Sequence, residues 1–358
     1  MINICLTFDY ELFFGENYGT FEEVLFAPTD KLINLLVEEN VKATFFADVC
    51  SIFKSKEFAC TSYVDRFEEQ ICRMKAEGQD VQLHIHSHWL GSEFKDGKWL
   101  FDPKKYRIHS LGFENSKAEN ASLIILKGVN YLNEILRTID NDYSCIAFRA
   151  GGYSLQPHKK LVEALCAAGI KVDSSVAYMQ QCNTETNRYN YKHDISGVNW
   201  YIGSDKEWWE NGSTSKFKIY EIPVAAENSN PLFFAIKRCF MPNSIKLNLG
   251  EKRGTYIGKN TDTHKKRTIN SIVTYLCGYH LLSMDAYKAE FLYKQIKRFA
   301  KKNNAKENEC TIALIGHPKL VNDEYINNLR QLLKLISCDK EMQIVGLTEV
   351  YATQNSEV

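Results

Sequence analysis

Three of the nine histidines lie within one stretch of five residues, namely His84, His86 and His88. Two carboxylates, Asp9 and Glu11, stand near the start of the chain, and a further histidine precedes a proline near its end. Imidazole and carboxylate groups bind divalent ions such as Zn²⁺, which lower the pKa of bound water to about 7. Another carboxylate can take a proton from that water, and a histidine can give one to the leaving group. These residue types predict metal-assisted hydrolysis.

The spacing of the three histidines favours one pair as metal ligands. In an extended segment, residues 84, 86 and 88 share one face. If the chain instead turns after His84, positions 84 and 88 still meet and position 86 moves away. The pair His84 and His88 therefore faces the same side in both geometries. We expect this pair to bind the metal and His86 to contact the substrate or pack against neighbours.

Short apolar runs rich in β-forming residues alternate with helical patterns along most of the chain. The expected strands cover residues 2–11, 41–49, 80–88, 145–153, 170–176, 217–224 and 309–317. The expected helices cover residues 28–40, 67–78, 121–136, 157–169, 286–302 and 322–336. This alternation predicts a mostly parallel sheet, either open or closed into a barrel. In such folds the functional site forms at the carboxyl ends of the strands.

Titratable side chains gather at five of these predicted strand ends. They are Asp9 with Glu11, the three histidines of 84–88, Arg149, Asp173 and His317. Because side chains alternate along a strand, Asp9 and Glu11 face the mouth of the sheet together, whereas Tyr10 points elsewhere. One such strand end is weak evidence, but five of them together indicate a single site.

The composition excludes some classes of partner. The 358 residues carry 44 basic and 44 acidic side chains, and this balance argues against nucleic-acid binding. No run approaches the roughly 18 apolar residues of a membrane helix, and the first residues lack the pattern of a signal peptide. The 11 cysteines are scattered, without a CxxC pair, as expected for reduced thiols. We expect a cytoplasmic protein.

Three segments, 91–120, 178–215 and 228–282, interrupt the alternation with Asn, Ser, Lys and Gly. We interpret them as insertions over one face of a single domain that spans residues 1–358. The third is expected to be a substrate lid or a subunit contact. The second contains Trp208 and Trp209, and two interpretations of this pair stay open: a platform for a sugar ring, or ordinary packing within a loop.

The strand-end residues resemble the motifs of the polysaccharide deacetylase family, also known as NodB homology or carbohydrate esterase family 4. The first motif is similar to Thr7-Phe8-Asp9-Tyr10-Glu11, and the second has the spacing of His84 and His88. The other three are similar to Arg149 with Tyr153, to Asp173 and to His317. The chain departs from the family in Tyr10, which replaces a second Asp, and in Ile85, which replaces Ser or Thr.

The resemblance implies a fold, an activity and a cofactor. The fold would be an α/β distorted (β/α)7-type barrel with insertions at the carboxyl-terminal face of its strands. The activity would be removal of an N-acetyl group from an amino sugar of a polysaccharide, a glycolipid or a nucleotide-sugar precursor. The cofactor would be a divalent metal, with Zn expected first and Co, Ni or Fe as alternatives.

The resemblance also implies a role for each matched residue. Asp9 would be the general base, and Arg149, held by Asp173, would orient it. His317 would be the general acid. The metal ligands would be Glu11, His84 and His88, with Glu11 in place of the missing Asp. Contacts to the carbohydrate are expected from Tyr10, His86, Trp89 and Tyr153.

Two alternative functions remain open. Members of the same superfamily hydrolyse small cyclic amides such as allantoin, in some cases without a metal, so a metal-independent cyclic amidase is the first alternative. The second is a catalytically silent carbohydrate-binding protein, which the departure at Tyr10 keeps open. The sequence does not predict the oligomeric state.

Overall fold

The structure is a computed structural model that describes residues 1–13, 19–95, 98–114, 119–193, 198–228, 245–249, 278–303 and 310–356. Its strands are β1 Ile2–Tyr10, β2 Thr44–Asp48, β3 Asp80–Ile85, β4 Glu93–Lys95, β5 Lys98–Leu100, β6 Ala147–Ala150, β7 Val172–Asp173, β8 Gln181–Asn183, β9 Arg188–Asn190, β10 Trp200–Gly203, β11 Lys218–Glu221, β12 Ala226–Glu227, β13 His280–Leu281, β14 Cys310–Gly316 and β15 Met342–Ile344. Its α-helices are α1 Ala27–Glu38, α2 Val49–Glu57, α3 Thr61–Ala76, α4 Ala121–Leu136, α5 His158–Ala167, α6 Ala289–Lys302, α7 Asp323–Ser337 and α8 Leu347–Ser356.

In the described residues, nine strands form one central sheet in the order β10-β11-β7-β6-β3-β2-β1-β14, with β15 beside β1. All its strand pairs are parallel except β10 with β11. The register places Phe8 opposite Gly316 and His84 opposite Arg149. The carboxyl ends of β1, β3, β6 and β14 therefore meet at one edge.

The sheet curls, so that its two sides approach each other through the segment after β11. Val224 forms single parallel bridges with Ala177, beyond the end of β7, and with Ala313 in β14. The backbone N–H of Ala225 donates to the carbonyl of Ala313 at 3.0 Å. The fold is thus mixed α/β with a curled, mostly parallel sheet, as predicted. The count of seven strand–helix units stays a prediction.

Most predicted helices form close to the predicted positions, because their apolar faces pack on the sheet. Helix α4 has the predicted bounds, and both α3 and α5 are followed by a glycine in the left-handed region, Gly78 at φ 79° and Gly169 at φ 90°. Val37, expected on the apolar face of α1, is 42% exposed. Helices α2 and α8 were not predicted.

The predicted insertions contain the smaller sheets. The first holds the β4–β5 hairpin, and the second holds the β8–β9 hairpin and β10, which joins the central sheet. The third lies largely outside the described residues; of its described part, β13 pairs with β12. The interpretation of 1–358 as one domain stays a prediction.

Two expectations about the chain's chemistry can be compared with the described residues. The nine cysteines among them are all free thiols, of which Cys5, Cys50, Cys145 and Cys310 are buried. None of the described helices combines the length and the apolar character needed to cross a membrane.

Candidate active site

Glu11, His84 and His86 form a buried group at the carboxyl edge of the sheet. Oε2 of Glu11 lies 3.0 Å from Nε2 of His84 and 2.5 Å from Nε2 of His86. One potential ligand atom from each of the three residues lies within 4.8 Å of the other two. The alternation of β1 and β3 explains the group, since each strand sends residues two apart to the same side.

The hydrogen bonds of His84 fix its tautomer. Its Nδ1 lies 2.8 Å from the carbonyl oxygen of Arg149, which can only accept, so Nδ1 carries the proton. In a neutral ring, Nε2 then presents a lone pair to the carboxylate of Glu11. Two electron-rich atoms 3.0 Å apart need a cation between them. A divalent metal fits this set of donor atoms. A proton shared by Nε2 and Oε2 would also satisfy them.

The pKa values of the two histidines in this group shift in opposite directions. Burial opposes protonation of His84, but Asp9 and Glu11 raise its pKa above the usual value. Burial lowers the pKa of His86 to about 4, so this ring is neutral at pH 7, as a metal ligand must be. The pKa of Glu11 is well below its usual value, because Lys319 and His86 outweigh the effect of burial.

Asp9 lies beside this group and is paired with Arg149. Nη1 of Arg149 donates to Oδ1 of Asp9 at 2.7 Å, and the guanidinium is fully buried. Burial raises the pKa of Asp9, but Arg149, His84 and His317 together outweigh burial and lower it, so Asp9 is ionised. A buried carboxylate in this state can accept a proton from a neighbouring water.

His317 lies opposite, at the end of β14. Its Nε2 is 3.8 Å from Oδ2 of Asp9 and 3.8 Å from Oε1 of Glu11. Its Nδ1 donates to Oδ2 of Asp285 at 2.6 Å, and its backbone N–H donates to Oδ1 of the same carboxylate at 3.0 Å. Burial lowers the pKa of His317, but Asp285 outweighs burial and raises it. The ring is thus held with Nε2 directed into the site.

Two residues of this site were not found by sequence reasoning, Asp285 and Lys319. Nζ of Lys319 donates to Oε1 of Glu11 at 2.7 Å and to the carbonyl of Leu12 at 3.1 Å. Its side chain is 0% exposed, which is rare for lysine. The only available signal was its position two residues after His317. No sequence pattern indicated Asp285 as a site residue, because it lies in an irregular segment before α6.

The structure places His88 outside the group and His86 inside it, which corrects the expected pairing of His84 with His88. β3 ends at Ile85, and a 3₁₀ turn over Ser87–Gly91 begins directly after His86. His86 is therefore still extended, and its backbone N–H donates to Oδ1 of Asp48 at 3.1 Å. His88 is buried among aromatic rings, with its ring centroid 5.1 Å from that of Phe101.

Arg149 is held by a different residue from the one expected. Its Nε donates to the carbonyl of Ser174 and its Nη2 to Oγ of Ser174, each at 2.8 Å. Asp173 instead accepts from Oγ of Ser175 at 2.6 Å. Burial, followed by the charge of Asp173, raises the pKa of Glu221 well above its usual value. The protonated form of Glu221 is therefore favoured beneath the site.

The residues expected to contact the carbohydrate divide into two sets. Tyr10 points away from the site and donates to Oε1 of Gln70 at 2.7 Å, and Trp89 is 1% exposed and packs on Phe101. Tyr153 is half-buried, with φ 59°. Burial raises the pKa of its phenol well above the usual value; Asp9 raises it further, and Arg149 lowers it. Of the expected contacts, His86 and Tyr153 lie at the site, whereas Tyr10 and Trp89 lie in the core.

The chain is similar to known proteins in its fold rather than in its sequence. No family model and no curated protein matches the chain. Among solved structures, PuuE allantoinase matches 99% of this chain and 90% of its own, with 11% identity and a TM-score of 0.50. The chain shares this fold.

Two deacetylase structures match as well. A probable polysaccharide deacetylase from Pseudomonas aeruginosa PAO1 has 12% identity and a TM-score of 0.46, with 99% of this chain and 91% of its own covered. The polysaccharide deacetylase Bc1974 from Bacillus cereus has 12% identity and a TM-score of 0.39, with 96% and 90% covered.

Proposed function

We propose that this chain is a metal-dependent hydrolase that removes an N-acetyl group from an amino sugar. The observation that carries the proposal is one cluster in which a group of suitable metal ligands lies beside an ionised carboxylate and an oriented histidine. Glu11, His84 and His86 are the first part, Asp9 is the second and His317 is the third. This is the set of functions that hydrolysis of an unactivated amide requires.

The residues that would hold the metal are Glu11, His84 and His86. When bound, a divalent ion such as Zn²⁺ supplies Lewis-acid chemistry and lowers the pKa of water to about 7. Two imidazoles and one carboxylate are a typical ligand set for catalytic zinc. The carbonyl of Arg149 orients His84, as the partners of metal-binding histidines commonly do.

Asp9 is the proposed general base. Arg149 keeps it ionised and holds Oδ1, so Oδ2 is the oxygen that takes a proton from the attacking water. His317 is the proposed general acid. Because Asp285 holds the proton on Nδ1, Nε2 is the atom that donates a proton to the departing amine. The 3.8 Å between this Nε2 and Oδ2 of Asp9 supports the proposal that base and acid act on one substrate.

A metal-independent cyclic amidase is the second candidate. Two observations favour it: the match to PuuE allantoinase, and the ammonium group of Lys319, by which the chain itself supplies a positive charge to Glu11. In this case Lys319 and Arg149 would balance the charges of Glu11 and Asp9 without a metal.

The experiment that separates these candidates follows acetate release from N-acetylated amino sugars, and hydrolysis of allantoin, before and after chelation and with zinc restored. We expect acetate release that chelation abolishes and zinc restores. Allantoin hydrolysis that survives chelation would favour the amidase.

Asp9→Asn should lower kcat by about 10²–10⁴-fold while metal content is kept. The control is Asp65→Asn, an exposed residue of α3. Unchanged function in Asp9→Asn would contradict both enzymes.

A further inference from the structure

The chain directly after β6 passes through two residues in the left-handed region of the backbone. Gly152 has φ 61° and Tyr153 has φ 59°. Glycine adopts this conformation without steric cost, but for tyrosine it is unfavourable, because Cβ then lies too close to a backbone carbonyl. We call this pair the left-handed turn. Such a conformation persists only where the surrounding structure holds it.

The β8–β9 hairpin of the second insertion supplies the contacts that hold the left-handed turn. Nδ2 of Asn187, the residue before β9, donates to the carbonyl of Gly152 at 2.7 Å. The hydroxyl of Tyr191, the residue after β9, donates to the carbonyl of Tyr153 at 2.6 Å and accepts the backbone N–H of Leu155 at 3.1 Å. Both carbonyls of the left-handed turn therefore accept a hydrogen bond from a side chain of this insertion.

The left-handed turn determines where the side chain of Tyr153 lies. Burial raises the pKa of its phenol well above the usual value, the charge of Asp9 raises it further, and the charge of Arg149 lowers it. The phenol is thus protonated at neutral pH and lies within electrostatic reach of the proposed base, where its O–H can donate a hydrogen bond. A right-handed backbone at this residue would direct the side chain elsewhere.

We propose that Asn187 and Tyr191 are positioning residues of the active site, which hold the left-handed turn so that Tyr153 stays beside Asp9. This inference rests on the proposed function and deepens it, because it gives the second insertion a part in the reaction. Asn187 and Tyr191 act through Tyr153 rather than on the substrate itself.

The first support is a second attachment of the hairpin to the same loop. Nε2 of Gln156 donates to the carbonyl of Asn190 at 2.9 Å, and Oε1 of Gln156 accepts the backbone N–H of Asn190 at 2.9 Å. Together with the three bonds made by Asn187 and Tyr191, five hydrogen bonds join residues 187–191 to residues 152–156. The hairpin and the turn are therefore held as one unit.

The second support is the packing that fixes Tyr191. This residue is 0% exposed, and its ring is stacked on that of Tyr189, with centroids 4.8 Å apart. The ring of Trp208 packs edge-on against it at 5.2 Å. Trp208 is 3% exposed, and its carbonyl accepts a hydrogen bond from Nε1 of Trp200 at 2.7 Å. Packing within a loop is thus the interpretation that applies to Trp208.

The third support is the close fit around Gly152. A Cβ atom at this position would lie 2.9 Å from Nδ2 of Asn187 and 2.7 Å from Cε1 of Tyr106. Tyr106 belongs to the first insertion, and its ring centroid lies 6.1 Å from that of His86. Both insertions therefore meet at the left-handed turn, one of them through a ring beside a proposed metal ligand.

The test compares kcat/KM for acetate release at a temperature where every variant is folded. Tyr191→Phe keeps the ring and its packing but removes both hydrogen bonds of the hydroxyl. We expect it to lower kcat/KM about tenfold, because a strained conformation loses the bonds that hold it. In a Tyr153→Gly background no side chain remains to be positioned, and glycine adopts the left-handed conformation freely. There Tyr191→Phe should change kcat/KM less than about twofold.

Hydrogen exchange gives a second measurement, which does not depend on activity. The amide of Leu155 should exchange at least about tenfold faster in Tyr191→Phe than in the wild type, because the hydroxyl that accepts its hydrogen bond is gone. Tyr189→Phe is the matched control. It removes the hydroxyl of the ring stacked on Tyr191 and keeps the bonds to the turn, so kcat/KM and the exchange rate should both stay within about twofold of the wild type.

Three outcomes would overturn the proposal. They are an unchanged kcat/KM in Tyr191→Phe, an equal loss with and without the ring of Tyr153, and a loss of the same size in Tyr189→Phe. The second of these would assign Tyr191 a general structural role. Faster exchange at Leu155 in Tyr191→Phe, in a wild-type protein that releases no acetate, would instead overturn the deacetylase and leave the hold on the left-handed turn standing.

Discussion

Lys319 is buried at the site, whereas lysine side chains are normally exposed to solvent. Lysine is almost never fully buried unless it is paired, and here its partner is Glu11, itself 4% exposed. The two oxygens of Glu11 consequently have different neighbours, Lys319 at Oε1 and the two histidines at Oε2. Lys319 thus fixes which oxygen is offered to a metal.

Lys319→Met removes the charge and keeps most of the volume. Glu11 is then a buried carboxylate without its cation, so the free energy of unfolding of the metal-free protein should fall by about 3–5 kcal/mol. Urea unfolding measures this. Lys31→Met is the matched control, because Lys31 pairs with Asp323 on the surface, with side chains 54% and 86% exposed. Its loss should not exceed about 1 kcal/mol. Equal losses in both variants would contradict the role given to Lys319.

Asp285 sets the pH range in which His317 can act. As a general acid, His317 must carry its proton, so kcat falls as the pH rises through the pKa of His317. Since Asp285 raises this pKa, Asp285→Asn should move the basic limb of the kcat profile to lower pH. The pH profile of acetate release measures the shift, with Asp65→Asn as the control. A basic limb that stays in place would remove His317 from the role of acid.

At the scale of elements, the end of β3 decides which histidines meet. The strand stops at Ile85, but the backbone stays extended through His86, where φ is −109° and ψ is 89°. Asp48, at the end of the neighbouring β2, accepts the backbone N–H of His86 and of Cys50. This link holds His86 in line with His84, and the 3₁₀ turn carries His88 into the aromatic core.

Substitution of single histidines tests which of them lies on the metal side of the boundary between the extended segment and the 3₁₀ turn. His86→Asn should weaken zinc binding by more than about 100-fold, because loss of a ligand costs more than loss of an outer-shell partner. His88→Asn should keep zinc affinity within about tenfold of the wild type. Competition with a chromogenic chelator measures both affinities. The opposite order would return the metal site to the pair His84 and His88.

The sequence predicted this element layout well and its boundaries less well. Strand–helix alternation predicted the parallel sheet, and strand ends carrying Asp9, His84, Arg149 and His317 do meet. The choice between His86 and His88 depended on where an extended segment becomes a 3₁₀ turn, and residue spacing does not determine this. Asp285 and Lys319 could not be found, because tertiary packing alone brings irregular segments to the site.

At the scale of the whole molecule, the proposed site joins parts of the chain that are far apart in sequence. Residues at the ends of β1, β3, β6 and β14 contribute, and β1 pairs directly with β14 across 308 positions. The unfolded chain cannot assemble such a group, so a metal that binds there binds the folded state alone. Binding free energy is then added to the free energy of unfolding.

Zinc should therefore stabilise the protein as a whole. At a free concentration 100 times the Kd, the free energy of unfolding should rise by about 2.7 kcal/mol, and the melting temperature should rise with it. Urea unfolding with zinc and with a chelator measures the difference. His86→Asn at the same zinc concentration should show no such rise. A rise of equal size in that variant would place the stabilising ion elsewhere.

Arg149 has two connections that bear on how the site moves. Its carbonyl holds Nδ1 of His84, and its guanidinium holds Oδ1 of Asp9. A displacement of β6 along its axis would therefore carry a metal ligand and the proposed base in the same direction at the same time. Their separation is protected against that motion. Arg149 therefore couples the position of the proposed metal ligand to that of the proposed base.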